Sequence, residues 1–443
     1  MREQLARYFL AGISAVDPLR LMTSVLRHDA YALSLSVAWA PDLIYRNQLN
    51  RVFVVGGGKA GRTMGDAVLR VMGDLVTEGV MAVPKGHGGA AGPIRYIEAG
   101  HPVPDIGGIS AAREILVLLE KTGGDDLVIA LFSGGGSSMI SSPADGITVD
   151  QKAEITRLML RAGADIYSLN TVRKHLSEIK GGLLARVAHP ATVWALLLSD
   201  VSGDDPSVIA SGPFAPDPTT YADAIGALEQ YGLLFSAPAA VRRRLIEGAA
   251  GKLPDTPKPG DPVFEKVFHT FIGTNRTAMA AIAEAAKNDS AEITLLPNFL
   301  HGEAHDCAKL FCDRLRCAAA SLAPGRTAVL IAGGETTVYV SGDGVGGRNL
   351  EFALAAGIEL SDTEGLAVFA GGTDGIDGPT DSAGAYVDGA TIARAEAAGL
   401  DPHKHLADNN SYAFFKTLDD LTITGPTGTN VADLVIGIAK NSA

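Results

Sequence analysis

The stretch RVFVVGGGKAG, residues 51–61, decides the fold class of this chain. Its first five residues form a short apolar run typical of a buried strand, and a run of glycines follows directly. Apolar residues then recur at helical spacing over residues 59–73, so the pattern predicts a strand, a tight turn and a helix. Repetition of this unit is typical of a mostly parallel sheet covered by helices on both faces.

The same alternation continues along the chain. Further strand-like runs in the first half are at 79–83, 126–132 and 192–198, with helical patterns at 108–121 and 150–163. In the second half the strand-like runs are at 267–273, 327–334 and 366–372, with helical patterns at 277–287, 303–321 and 348–360. The second half therefore also predicts an α/β domain, with an antiparallel element expected around TTVYVSGDG, residues 336–344.

One segment interrupts this alternation. Residues 247–262, EGAAGKLPDTPKPGDP, contain four prolines, which cannot form a helix interior or a central strand. We therefore expect a domain linker here, with one domain at 1–255 and the other at 262–443. Most glycine runs follow predicted strands in both halves, where open α/β sheets bind ligands, so an active site in the cleft between the domains is expected.

Composition excludes several classes of protein. The 443 residues exceed one ordinary domain, and 47% hydrophobic with 20% charged residues excludes a disordered or fibrous chain. The net charge of −13 argues against a general nucleic-acid surface or a basic membrane-binding face. Three cysteines on one predicted helix form no disulfide framework, and the N-terminus reads as an amphipathic helix without a signal peptide. No stretch approaches a membrane span of about 20 apolar residues, so we expect a cytoplasmic protein.

The glycine turn VVGGGKAG, residues 54–61, is the first candidate for ligand binding. It satisfies G-x-G-x-x-G between a strand and a helix, a pattern that brings backbone amides to a pyrophosphate. The next strand, however, ends in Val83-Pro84-Lys85, where a dinucleotide-binding protein carries a carboxylate for the ribose. Lys59 lies inside the turn, where its ammonium group would reach a phosphate or carboxylate. The pattern therefore favours an anion site over a dinucleotide site, and a structural turn without a ligand stays open.

A second glycine loop, LFSGGGSSM at 131–139, follows another predicted strand. Its backbone amides and the hydroxyls of Ser133, Ser137 and Ser138 suit the wrapping of phosphate oxygens. The hydrolase elbow G-x-S-x-G would need glycine where Met139 stands, so a nucleophilic serine is the weaker interpretation. A strand–helix turn without a ligand also stays open.

A basic run, NTVRKHLSEIKGG at 170–182, stands out in this acidic chain. If the segment is helical, Arg173, Ser177 and Lys180 share one face, as do Lys174 and Ser177. A solvated charged face and a polyanion site are equally good interpretations of the run.

Acidic residues follow two predicted strands. Asp200 comes just after the run at 192–198, and Asp374 comes just after the run at 366–372. Carboxylates at strand ends near phosphate loops suit Mg²⁺ shared between protein and nucleotide, although Asx turns explain neighbouring aspartates as well. In the C-terminal half, Arg348 opens a predicted helix after two glycines, where a guanidinium can make a bidentate contact with a carboxylate or phosphate.

Two glycine loops, a lysine, an arginine and strand-end carboxylates indicate phosphoryl transfer, in which a protein mainly positions groups and neutralises charge. Several segments together resemble the class II glycerate kinases of MOFRL type, some of whose relatives are labelled hydroxypyruvate reductases. These segments are GGGKAG, GHPVPD (100–105), SGGGSS, NTVRKHLS…KGG, SDVSGDD, SGP, GGET, GGRNLE and GGTDGIDGPTD. The resemblance extends over nearly the whole chain.

The resemblance implies a Rossmann-like N-terminal domain, a smaller C-terminal α/β domain and an interdomain active site. It also implies transfer of a phosphoryl group from ATP, with Mg²⁺, to the 2-hydroxyl of D-glycerate, with Lys59 and Arg348 as the family's essential lysine and arginine. Asp200 or Asp374 would bind Mg²⁺ or orient the hydroxyl as base. Further candidates for binding nucleotide or substrate are Gly57, Gly58, Ser133, Gly134, Gly135, Gly136, Ser137, Arg173, Lys180, Asn275, Glu335 and Thr373.

Two other functions compete with this one. An NAD(P)H-dependent hydroxypyruvate reductase would use the fingerprint at 56–61, but the sequence offers no evident His/carboxylate relay for proton delivery. A non-catalytic sensor would bind ATP and glycerate without turnover. The expected partner is the small molecule glycerate, with no nucleic acid and no membrane, and a homodimer is one option for the oligomeric state.

Overall fold

The computed structural model describes residues 1–35 and 42–441. Its strands are β1 (Leu26–His28), β2 (Ala32–Leu35), β3 (Asp42–Tyr45), β4 (Val52–Gly57), β5 (Val76–Val83), β6 (Gly89–Ala91), β7 (Ile94–Glu98), β8 (Leu127–Phe132), β9 (Thr192–Ser199), β10 (Val267–Thr274), β11 (Glu292–Leu295), β12 (Thr327–Gly334), β13 (Leu366–Gly372), β14 (Gly384–Asp388), β15 (Leu421–Thr422) and β16 (Asp433–Lys440). Its α-helices are α1 (Arg2–Ala15), α2 (Pro18–Val25), α3 (Gly61–Met72), α4 (Ile106–Leu119), α5 (Gly136–Met139), α6 (Val149–Arg161), α7 (Ile166–His175), α8 (Leu183–Ala188), α9 (Tyr221–Gln230), α10 (Ala239–Ala249), α11 (Asn275–Asn288), α12 (Ala304–Ser321), α13 (Arg348–Glu359), α14 (Thr391–Ala397), α15 (Pro402–Ala407) and α16 (Ser411–Leu418). The 3₁₀ helices are Arg46–Gln48, Gly73–Leu75, Ile209–Ser211 and Pro262–Phe264.

The chain folds into two compact units. The N-terminal unit is Pro18–Ile272, and the C-terminal unit combines Met1–Asp17 with Gly273–Ala443. This division differs from the domains predicted at 1–255 and 262–443, because the prolines break the chain without ending the first sheet. Strand β10, which follows them, lies beside β9, and helix α1 packs on α11 in the C-terminal unit. The interdomain position of the active site stays a prediction.

The sheet of the N-terminal unit confirms the Rossmann-like architecture. Its seven strands lie in the order β10-β9-β8-β4-β5-β7-β6, and β4, β5, β7, β8 and β9 pair in parallel, while edge strand β6 is antiparallel. Without β6, the order is 3-2-1-4-5-6 in chain order, that of the doubly wound dinucleotide-binding folds. The order reverses between β4 and β8, which is where such sheets bind their ligands.

The buried positions follow from the apolar patterns. Every residue of β4 is buried, as expected for a central parallel strand covered on both faces. Helix α3 buries Met64, Ala67, Val68 and Met72, the residues whose spacing predicts it. A separate group of helices, α6, α7, α9 and α10, forms its own apolar core around residues such as Ile155, Val172 and Leu228.

The C-terminal unit has a six-stranded mixed sheet in the order β11-β12-β16-β13-β14-β15. Strand β16 runs antiparallel between β12 and β13, so that Asp433 lies opposite both Gly334 and Gly372. The prediction of an antiparallel element at 336–344 is wrong, because this segment forms no strand and Tyr339 is 78% exposed. The antiparallel partners come instead from β14, β15 and β16.

Two smaller expectations concern the helices. The three cysteines lie on α12, with Cys307 and Cys312 buried and Cys317 exposed, and all three are free thiols. Of the helices within the described residues, none has the length and apolar character needed to cross a membrane.

Candidate active site

The two predicted glycine loops meet at the point where the strand order reverses. Strands β4 and β8 are parallel neighbours, with Gly57 opposite Phe132, so both loops begin at the same sheet edge. The amide of Lys59 donates to the carbonyl oxygen of Gly134 at 2.8 Å, and the amide of Ala60 donates to Ser133 Oγ at 3.0 Å. The segment 56–61 and the segment 133–136 are therefore hydrogen-bonded to each other.

The close approach of these loops explains the glycine at position 58. Gly58 has φ +141°, and a Cβ placed there would lie 2.3 Å from Ser133 Oγ. No side chain fits such a distance, and an L-residue adopts this backbone conformation only with strain. The glycines here allow one loop to pack on the other.

The amides of the first loop do not have the role that the fingerprint predicts. Those of residues 58–61 donate in turn to Ala82 O, Gly134 O, Ser133 Oγ and Gly58 O. Because these amides already have acceptors within the protein, they cannot cradle a phosphate as a dinucleotide loop does. Gly57, Gly58 and Ser133 make contacts between the two loops, and their contacts with the nucleotide stay a prediction. The half-buried side chain of Lys59 stays the candidate for anion binding in this turn.

A chain of polar side chains supports the second loop. The buried ammonium group of Lys180 donates to the carbonyl and hydroxyl oxygens of Ser137, both at 2.9 Å, and to Ala210 O at 3.2 Å. Ser137 Oγ in turn lies 2.9 Å from Ser211 Oγ, which donates to Asn170 Oδ1 at 3.0 Å. The donors of Lys180 are thus directed at oxygens of the protein, and a contact of Lys180 with a ligand stays a prediction.

The basic run 170–182 does not form one helix. Helix α7 ends at His175, so the shared faces predicted for Arg173, Ser177 and Lys180 and for Lys174 and Ser177 do not exist. Lys174 is buried in an ion pair with Asp217 at 3.3 Å. The buried His175 lies between Thr171 O, 2.7 Å from Nδ1, and Asp255, 3.0 Å from Nε2. These two residues stabilise the N-terminal unit, whereas Arg173 and Lys180 belong to a different cluster.

That cluster contains three cationic side chains. Burial lowers the pKa of Lys180 well below its usual value, and the charges of Lys152 and Arg173 lower it further. Burial also lowers the pKa of Lys152 to about 7 and that of Arg173 to about 10. Glu178, the carboxylate that acts on Lys152, is exposed and accepts a hydrogen bond from Ser142 at 2.8 Å.

In the C-terminal unit, Arg348 is fixed by two carboxylates. Its Nε and Nη2 donate to the two oxygens of the buried Asp433, the latter at 3.0 Å, and its Nη1 lies 2.8 Å from Glu335 Oε1. Burial alone would lower the pKa of the guanidinium, but Asp433 and Glu335 raise it above its usual value. The guanidinium is thus held by a bidentate pair with Asp433 and an ion pair with Glu335.

Asp377 holds the helix that carries Arg348. Its carboxylate accepts from the amides of Asn349 at 3.1 Å and Leu350 at 2.8 Å, at the start of α13. Burial raises the pKa of this carboxyl to about 6. Asp377 therefore caps α13 at its N-terminus.

The remaining predicted residues fall into two groups. Asn275 and Thr373 are buried and bind the main chain before and at the start of β16: Asn275 Nδ2 donates to Val431 O and Asp433 O, and Thr373 Oγ1 donates to Ala432 O. These bonds support the main chain around Asp433, and the binding of a ligand by Asn275 and Thr373 stays a prediction. Asp200 and Asp374 are half-buried; Asp200 directly follows β9, and Asp374 lies two residues after the end of β13, so both are near strand ends as predicted.

A site for Mg²⁺ can be tested against the donor groups. Nowhere in residues 1–35 and 42–441 do three His, Cys, Asp or Glu side chains gather into a group that could hold a metal ion. Mg²⁺ bound with a nucleotide, however, needs only one or two carboxylates, with phosphates and water as the other ligands. Asp200 and Asp374 fit that requirement as oxygen donors at strand ends.

Sequence reasoning missed two important residues. Lys152 lies in α6, in a stretch (VDQKAEITRLML) where a lysine looks like an ordinary surface residue, and only its 7% exposure reveals it. Asp433 begins the last strand, DLVIGIAK, and was not distinguished because nothing in that run shows that β16 inserts between β12 and β13. The available signal was that this aspartate begins an apolar run. The neighbouring strands, β12 and β13, end in glycine.

The fold and these loops define a two-unit α/β protein with a Rossmann-like N-terminal sheet, and comparison with known proteins gives its family. The model of a domain of unknown function, DUF4147, matches residues 4–246, and the model of the MOFRL family matches residues 328–433. The chain is 41% identical to a D-glycerate 2-kinase of Thermotoga maritima, over 88% of this chain and 91% of the relative. It is 39% identical to an Agrobacterium vitis protein provisionally named a hydroxypyruvate reductase, over 98% of this chain and 93% of the relative.

A solved structure agrees with these matches. The crystal structure of a glycerate kinase from Thermotoga maritima superimposes with a TM-score of 0.83 at 36% identity, covering 99% of each chain. The chain belongs to the family of class II glycerate kinases, which confirms the resemblance found in the sequence.

Proposed function

We propose that this protein is a glycerate 2-kinase, which transfers the γ-phosphoryl group of ATP to the 2-hydroxyl of D-glycerate. The observation that carries the proposal is the joining of the loops 56–61 and 133–136 at the point where the sheet order reverses. Ligands of doubly wound sheets bind at this point. The relatives named glycerate kinases supply the reaction.

In the reaction, the 2-hydroxyl oxygen of glycerate attacks the γ-phosphorus of ATP in line with the leaving oxygen. The new O–P bond forms as the bond to ADP breaks, and the hydroxyl proton passes to a carboxylate, Asp200 or Asp374. When bound, Mg²⁺ would neutralise charge on the nucleotide phosphates, with the same two carboxylates as its candidate protein ligands.

Lys59 and Arg348, the cations that the family resemblance implies are essential, have different surroundings and hence different proposed roles. Arg348 is already balanced by Asp433 and Glu335, which hold its planar fork in a defined orientation. This arrangement suits directional binding of a planar carboxylate, so we assign Arg348 to the carboxylate of glycerate. Lys59, at the junction of the two loops, is assigned to the phosphoryl group in transfer.

The reductase alternative finds less support. A dinucleotide fingerprint needs amides that face the pyrophosphate, and the amides of residues 58–61 donate to protein oxygens. Strand β5 ends at Val83 and is followed by Pro84 and Lys85, with no carboxylate for the ribose. The cytoplasmic location and the homodimer stay predictions.

The test is an assay of ADP release with Mg²⁺, ATP and D-glycerate for the wild type, Lys59→Ala and Arg348→Ala. We expect turnover in the wild type and loss of activity in both variants, whose circular dichroism and melting should stay close to wild type. The matched control is Lys252→Ala, at an exposed position, with wild-type rates expected. Wild-type protein that consumes NADH with hydroxypyruvate but releases no ADP with glycerate would replace the kinase by the reductase.

A further inference from the structure

The N-terminal unit contains a buried cationic cluster that the proposed reaction has not yet used. It consists of Lys152 on α6, Arg173 on α7 and Lys180 in the turn after α7, and their positive charges repel one another. Lys152 is 7% exposed, and its ammonium nitrogen has no hydrogen-bond partner among the described residues. A buried ammonium group without an acceptor is costly, so its presence needs an explanation.

Two neighbouring groups also lack partners. The guanidinium of Arg173 makes no hydrogen bond or ion pair with the described part of the chain, although the residue is half-buried. The side-chain amide nitrogen of Asn170, one helical turn away on α7, is buried and makes no hydrogen bond there either. The unpartnered groups of Lys152, Arg173 and Asn170 are all hydrogen-bond donors. A ligand that satisfies them must therefore supply hydrogen-bond acceptors.

The cluster is connected to the second glycine loop. Lys180 holds both oxygens of Ser137, and Ser211 links Ser137 to Asn170 Oδ1. The oxygen of the Asn170 amide is therefore engaged, which leaves its nitrogen as the unsatisfied end. The same hydrogen-bonded chain fixes the loop that begins at the end of β8.

We infer that Lys152, Arg173 and Asn170, with the charge of Lys180, form a binding site for a phosphate group beside the loop 133–137. A phosphate offers several acceptor oxygens and up to two negative charges, which matches three cations opposed by one exposed carboxylate, Glu178. A carboxylate such as that of glycerate carries one charge and satisfies the cluster less well. The phosphate belongs either to the nucleotide or to the phosphorylated acid.

This inference rests on the proposed function for its ligand, but its test does not need turnover. Thermal melting and calorimetric titration are carried out on the full chain with inorganic phosphate at constant ionic strength. Because a ligand that binds only the folded state raises its stability, phosphate should raise the melting temperature of the wild type. Lys152→Met and Arg173→Met should each weaken phosphate binding roughly tenfold or more, since each removes a charged hydrogen bond.

Two further variants should behave differently in phosphate binding: one should bind phosphate more tightly than the wild type, and the other should bind it equally well. Glu178→Gln removes the competing carboxylate and should tighten phosphate binding, whereas the exposed Lys252→Met should leave it unchanged. Lys152→Met replaces an unpartnered ammonium group by an apolar chain of similar length, so the ligand-free variant should melt at or above the wild-type temperature. Its folding is thus assured independently of its loss of phosphate binding.

Titrations with ADP, ATP and 2-phosphoglycerate distinguish the two sources of the phosphate. Tighter binding of the nucleotides, lost in Lys152→Met, assigns the site to nucleotide phosphate, and the same result for 2-phosphoglycerate assigns it to the phosphorylated acid. Retention of phosphate binding in both Lys152→Met and Arg173→Met overturns the inference, as does a wild type that responds to none of these ligands. A wild type that binds phosphate through Lys152 but does not phosphorylate glycerate would refute the proposed function alone.

Discussion

The ammonium nitrogen of Lys180 lies 2.9 Å from both the carbonyl and the hydroxyl oxygen of Ser137, and this buried lysine thereby fixes the glycine loop that follows β8. A lysine in a basic run would ordinarily be taken for a solvated residue. Here all its donors are directed at the main chain and one serine. The loop is held in place by a residue more than forty positions further along the chain.

Lys180→Met tests this role. The change leaves Ser137 O and Ala210 O without their donor, so the loop should shift, and misplacement of about 1 Å can cost roughly a hundredfold in rate. We expect kcat/KM for ATP to fall at least about tenfold, measured by ADP release. Ser211→Ala, one hydrogen bond further from the loop, should have a smaller effect. Activity of Lys180→Met within twofold of wild type would show that the loop keeps its place without the lysine.

Gly58→Ala tests the contact between the two loops. A Cβ at Gly58 would lie 2.3 Å from Ser133 Oγ at φ +141°, so both steric overlap and backbone strain oppose it. The free energy of unfolding should fall by about 2–4 kcal/mol, measured by urea denaturation. The control is Gly226→Ala, at an exposed position in α9 with open space around it, which should stabilise by up to about 1 kcal/mol. Equal stability of the two variants would mean that the loops separate easily.

Asp433→Asn tests how Arg348 is positioned. Loss of the charge weakens the bidentate pair, so the guanidinium should turn away from the substrate carboxylate that we assign to it. The KM for glycerate should rise roughly tenfold, while the KM for ATP should stay the same. Steady-state kinetics with each substrate varied separately gives both values. A rise in the KM for ATP alone would assign Arg348 to the nucleotide instead.

The pKa of Lys152 predicts how the ligand-free protein responds to pH. The folded-state pKa is about 7 and the usual value is 10.5, so between these pH values the unfolded chain binds a proton that the folded protein does not. The contribution of Lys152 to the free energy of unfolding therefore rises as pH increases from about 7 towards 10. It is lowest below pH 7. Burial and the charge of Arg173 favour the neutral form of Lys152, and Glu178 opposes them.

Thermal melting of the wild type and Lys152→Met across pH 6 to 10 checks this dependence. The difference in melting temperature between them should be largest, in favour of the variant, at the acidic end and should shrink as pH rises. A difference that does not change with pH would show that Lys152 keeps its usual pKa in the folded protein.

Much of the fold could be predicted from local patterns. The runs 51–55, 126–132 and 192–198 appear as β4, β8 and β9 because central parallel strands are apolar throughout. Strand pairing depends on the whole chain, however, and no local pattern shows that β10 returns to the first sheet or that β16 inserts between β12 and β13. For the same reason, no local pattern shows that α1 belongs to the C-terminal unit.

The candidate site could be predicted only in part. Glycine runs correctly marked the two loops that meet, but the pattern does not tell whether an amide faces a ligand or a neighbouring loop, as at Lys59 and Ala60. Burial of a charge is equally invisible locally, so Lys152 resembled any surface lysine. The carboxylate that fixes Arg348 comes from a strand 85 residues further along the chain.

Phosphorus NMR of the protein incubated with D-glycerate, ATP and Mg²⁺ shows directly whether this chain phosphorylates the 2-hydroxyl of glycerate. We predict a new phosphoester signal of 2-phosphoglycerate, with ADP formed in equal amount. A 3-phosphoglycerate signal would contradict the assigned attack by the 2-hydroxyl. Unchanged ATP and glycerate would contradict the assignment of this chain as a glycerate kinase.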